Sequence, residues 1–67
     1  MNEEKLNQSV RKFLKQVGVT SQREIEMAVR AADEGGTLPG GPLDVKVVLH
    51  CPALDLEHEV TGQLDPD

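Results

Sequence analysis

Three side chains with metal-binding or nucleophilic chemistry, His50, Cys51 and His58, fall close together in the second half of the chain. Histidine nitrogen and cysteine thiolate are zinc ligands, but a structural site takes four protein ligands and a catalytic one three plus water. Adjacent residues of a strand point to opposite faces, so His50 and Cys51 diverge and only Cys51 and His58 share a side. Two ligands do not make a site, so no metal and no cofactor is expected, and Cys51 reads as a small buried hydrophobe. His58 interrupts an apolar row between Leu56 and Val60 and is expected to be partly buried. If neutral there, it would weaken folding or association as pH falls below about 6.5. Ser9 and Ser21 have no histidine nearby in sequence, and the glycines of "GGTLPGG" lack the lysine of a phosphate-binding loop. No catalytic constellation is found, and a non-enzymatic protein is expected.

The elements that carry these residues follow from periodicity. Leu6, Val10, Phe13, Leu14 and Val17 recur at helical spacing, with Asn2 as cap and Glu3 and Glu4 in the first turn, so a helix is predicted over residues 2–17. Gly18 suits a left-handed helix end. Ser21 and Glu24 stand in the S-x-x-E relation of a capping box, which predicts a second helix over 21–34 with Ile25, Ala28, Val29 and Ala32 inward. The Gly/Pro-rich stretch 35–42 is read as a loop. Beyond it the period becomes two, predicting strands over 43–51 and 56–64. A two-residue turn at Pro52-Ala53 would need positive φ at Pro52, which its ring forbids. A four-residue loop, Pro52 to Asp55, is therefore expected, setting Cys51 opposite Leu56 and Leu43 opposite Leu64. The predicted class is α+β: an αα-hairpin followed by a two-stranded antiparallel β-hairpin, with both helices packed on one face of the strands.

The opening "MNEEKLNQSVRKFLKQVGVTSQREIE" and the closing "LDLEHEVTGQL" resemble a small family of uncharacterised bacterial proteins, a domain of unknown function. The likeness covers nearly the whole chain and is strongest from Arg11 to Glu26. It implies a stand-alone bacterial protein with no assigned activity, cofactor or substrate, and it offers no functional residues to carry over. The family's second half is a strand pair without a fixed His or Cys, so His50, Cys51 and His58 look like departures.

Composition narrows the remaining functions. The chain has 67 residues, a net charge of −5, one cysteine and one aromatic residue, Phe13. A core of this size is thin and commonly leans on disulfides, metals or association. A single cysteine leaves no internal disulfide and fits a reducing cytoplasm, where we place the protein. No apolar run approaches a membrane span, and no signal peptide is evident, so a membrane is not expected as a partner. Without aromatic platforms, base stacking has little to work with.

The segment "VGVTSQREIEMAV", Val17 to Val29, resembles the middle of a helix-turn-helix, but its apolar position falls one residue late, at Ile25 instead of Glu24. The would-be recognition helix presents Gln22, Arg23, Glu26, Arg30, Asp33 and Glu34, a charge of −1, whereas phosphate contacts need cations. Charge is nevertheless segregated. Lys5, Arg11, Lys12 and Lys15 cluster opposite the first apolar stripe, and Asp55, Glu57 and Glu59 form an acidic row. With Met27, exposed beside Ala31, they are the candidate interaction surface; Gly18, Ser21 and Glu24 are assigned structural roles. Self-association or a protein partner is the expected mode, by apolar packing of strand edges or by basic helix against acidic strand. A nucleic-acid-associated protein using a degenerate helix-turn-helix and the basic helix face is the alternative.

Overall fold

The computed structural model describes residues 1–67 and contains one long helix, α1 (Glu3–Glu34), then β1 (Leu43–Cys51), a 3-10 turn (Pro52–Leu54) and β2 (Leu56–Leu64). The expected αα-hairpin does not form: α1 passes through Gly18, Ser21 and Glu24 as one 32-residue rod. The physical reason lies in the phase of the apolar residues. On one helix, Leu6, Val10, Phe13, Leu14 and Val17 continue into Ser21, Ile25, Ala28, Val29 and Ala32 within a stripe about 160° wide, as computed from the 3.6-residue period. A turn at Gly18 would break that alignment. Glycine within a helix costs only about 1 kcal/mol, and the Thr20 hydroxyl donates back to the Gln16 carbonyl at 2.8 Å, as a threonine inside a helix does.

The true ends of α1 carry the capping chemistry. The Lys5 amide donates to the Asn2 side chain at 3.1 Å, and Glu3 and Glu4 occupy the first turn. At the far end Gly36 takes φ +71°, which lets the Thr37 amide reach the Ala32 carbonyl at 2.9 Å and the Gly36 amide reach that of Asp33 at 3.2 Å. This is the paired Schellman closure, displaced from the Gly18 position where the sequence suggested an end.

The strands pair antiparallel with Cys51 opposite Leu56, Leu49 opposite His58, Val47 opposite Val60 and Leu43 opposite Leu64. Four residues, Pro52 to Asp55, join them, and Asp55 absorbs the reversal with φ 51° while its amide donates to the Pro52 carbonyl at 3.1 Å. The hairpin folds back along the helix. Its base, at Leu43, Val45 and Leu64, lies beside Ile25, Ala28 and Ala32, and its tip lies across an open groove from Val10 and Phe13. A nine-residue strand spans about 30 Å beside a helix of about 48 Å, so the strands do not run the whole length of α1. The longest dimension is 51 Å. One helix thus lies on one face of two strands, and no residue of the chain is buried.

Candidate interaction surface

The residues first considered for chemistry are spread along the hairpin. His50 sits on the outer face across from Glu57, whereas Cys51 and His58 share the helix-side face on successive rungs. No three His, Cys, Asp or Glu side chains come together in a metal-holding group. Cys51 is half-buried and not fully enclosed, and His58 is exposed. The burial on which acid sensitivity at His58 depended is therefore absent from the single chain.

The charged candidates are all exposed. By helical period, Lys5, Lys12 and Lys15 project from the side of α1 turned away from its apolar stripe, whereas Arg11 shares the direction of Val29, five turns on, and stands at the edge of that stripe. Glu57 and Glu59 lie on the outer face of the hairpin, where Lys46 pairs with Glu59 at 3.4 Å and Gln63 donates to Asp44 at 3.0 Å. Asp55 belongs to the turn. Met27, 55% exposed, stands on another side of α1 from the stripe, and neighbouring Glu26 pairs with Arg30 at 3.2 Å. The structure brings the two strand acids to one face and leaves Lys5, Lys12 and Lys15 on the opposite side of the molecule. Gly18, Ser21 and Glu24 are ordinary positions within α1.

What sequence reasoning missed is apolar. Between the N-terminal half of α1 and the hairpin tip lies an open groove of about 660 Å³, lined chiefly by Val10, Phe13, Leu14, Leu54 and Leu56. Phe13 is 53% and Leu54 73% exposed. Farther along the hairpin, the asymmetry between strands is plain. Four of the five helix-side residues of β1, Leu43, Val45, Leu49 and Cys51, are half-buried and the fifth, Val47, is exposed, while β2 is exposed throughout until Leu64. The helix therefore shields β1 and leaves the β2 row Leu56, His58 and Val60 open. A warning was present in the sequence: both strands carry apolar residues on one face, and a single helix stripe is too narrow to cover them and also hide its own flanks.

The extent of that exposure is abnormal for a lone domain. A compact monomer of 7.3 kDa presents about 4,200 Å² of surface, whereas this chain presents 5989 Å². Its radius of gyration is 15.9 Å, against about 11 Å for a compact chain of this length. An isolated two-stranded hairpin is marginal in water, so the uncovered faces are also where stability is lacking.

No helix is long and apolar enough to cross a membrane. Among known proteins, the chain matches over residues 1–67 a family model described as a family of unknown function, DUF6494, in agreement with the resemblance read from sequence. No curated protein and no solved structure matches it.

Proposed function

We infer that this chain, which belongs to the family of unknown function matched over residues 1–67, is a non-enzymatic protein-interaction module that works by associating with another polypeptide. The observation that carries this reading is the absence of any buried residue in a chain that presents contiguous apolar side chains from α1, the turn and β2. Contiguous exposed apolar patches on a folded chain mark interaction surfaces, and the exposed Phe13, Leu54 and Val60 supply the apolar anchors. The lone Cys51 supports a reducing, cytoplasmic setting.

The test uses Phe13→Asp and Leu54→Asp, placed where side chains are already half or more exposed, so a new charge harms association more than the fold. Sedimentation reads self-association, and affinity capture of a tagged full chain reads other partners. The expected result is complexes for the original chain and at least about a tenfold loss for both variants, with helical circular dichroism retained. A folded monomer that captures nothing through these positions overturns the reading.

The exposed row Lys5, Arg11, Lys12 and Lys15 supports a second reading, nucleic-acid association through the helix face. Its helix-turn-helix component is lost with the continuous helix. A salt-sensitive gel shift abolished by Lys12→Glu and Lys15→Glu would favour it.

A further inference from the structure

We propose that the open face is closed by a second copy of this chain, with β2 pairing antiparallel to the partner's β2 about a two-fold axis at Val60 to form a four-stranded sheet. This deepens the interaction reading above and rests on it, by naming the occupant.

Area is the first ground. The chain exposes about 1,800 Å² more than a compact monomer of its mass. Two copies together hold an excess of about 3,600 Å², more than the ~1,600 Å² that a standard-size interface buries, so the surface a stable dimer needs is present. A second copy has two such faces to hide at once, whereas an unrelated small partner removes only one.

The second ground is the edge. In a two-stranded sheet both strands have one side of unpaired backbone. Along β1 the helix covers most of the inner face, with Leu43, Val45, Leu49 and Cys51 half-buried and Val47 alone exposed. The residues of β2 have less cover, exposed up to Leu64, and no proline interrupts the strand. Pairing there places the partner's inner face beside the open row Leu56, His58 and Val60, and four strands under two helices satisfy the requirement that a hairpin alone does not meet.

Register is the third. Val60 is the midpoint of Leu56–Leu64, so an axis there is the one that pairs the whole strand. It sets each Leu56 against the partner's Leu64 and each Val60 against its counterpart. His58 then faces the partner's Gly62, whose missing side chain leaves room for the imidazole. On the outer face Glu57 meets the partner's Gln63 and Glu59 meets the partner's Thr61. Moving the axis to Glu57, His58 or Glu59 puts glutamates opposite glutamates, which destabilises a cross-strand pair. Moving it to Thr61 leaves Leu56 unpaired.

The experiment combines sedimentation equilibrium of the full chain with site-specific oxidation. In a Cys51→Ala background, Val60→Cys is expected to form a disulfide-linked dimer, and Val47→Cys, at the midpoint of β1, is not. The unmodified chain is expected to sediment at twice its monomer mass. Its outward β2 amides should exchange at least about tenfold more slowly in the dimer than in dilute monomer, a reading that needs no variant to fold. A chain that stays monomeric into the millimolar range overturns the second copy, and the interaction reading survives that result if a different protein is captured through Phe13 and Leu54. Cross-linking at Val47 and not Val60, or a dimer whose β2 amides remain unprotected, overturns the β2 pairing.

Discussion

Substituting Gly18 by alanine separates the two helical architectures by the sign of its effect. In the structure Gly18 lies within α1, its φ is not positive, and an added β-carbon meets nothing within 4 Å. Alanine is then favoured over glycine by about 0.5–1 kcal/mol, because glycine loses more backbone freedom on folding. For a domain of this size each kcal/mol moves the melting temperature by about 4–8 °C, so Gly18→Ala is expected to raise it by about 2–8 °C. If Gly18 instead ended a first helix in the left-handed region, alanine would cost about 1–2 kcal/mol and lower the melting temperature. For the same reason Gly18→Val, which a helix–turn–helix joint would not tolerate, should fold with little change in stability. The assay is thermal unfolding followed by far-ultraviolet circular dichroism, at one matched protein concentration because association makes the midpoint concentration-dependent. A loss of stability in Gly18→Ala would refute the continuous helix.

Three further substitutions probe the caps. Ser21→Ala should leave denaturant-measured stability unchanged or raise it by a few tenths of a kcal/mol, since alanine is the better helix former; a loss near 1 kcal/mol would restore a helix start there. Asn2→Ala removes the acceptor of the Lys5 amide and should cost about 1 kcal/mol, with faster hydrogen exchange confined to the first turn. Gly36→Ala forces a side chain onto φ +71° and should cost about 1–2 kcal/mol in the same denaturant titration.

The hairpin was legible because its determinants are local. Period-two alternation placed both strands, and the fixed φ of Pro52 excluded the short turn, which left the four-residue loop and its register. The helix misled because local and long-range signals disagree. Gly18, Ser21 and Glu24 imitate an end and a start, yet the stripe from Leu6 to Ala32 keeps its phase across them, and phase is what a second helix would have to re-establish. Capping residues act over one turn; the stripe is held by the hairpin along most of the rod. The candidate surface was read from charge for a related reason. Two predicted helices would cover the strands, so Phe13 and Val60 are expected inward and only charged residues and Met27 are left outside. With one helix, the apolar residues become the open surface.

The charges then decide between modes of self-association by the direction of salt dependence. If the basic side of α1 met the acidic strand of another copy, the interface would join Lys5, Arg11, Lys12 and Lys15 to Glu57 and Glu59, and screening would weaken it. In the two-fold arrangement Lys5, Lys12 and Lys15 face away from the hairpin, Arg11 stands at its flank, and each β2 glutamate meets an uncharged partner side chain, with Glu59 already paired to Lys46 at 3.4 Å. What remains between the copies is like net charge, −5 on each. Raising salt from about 0.02 to about 0.5 M shortens the screening length several-fold, and so should tighten the dimer or leave its dissociation constant unchanged. Sedimentation across that range reads the sign directly. A tenfold or greater weakening would mean that opposite charges hold the copies together and that the apolar face is covered by something else.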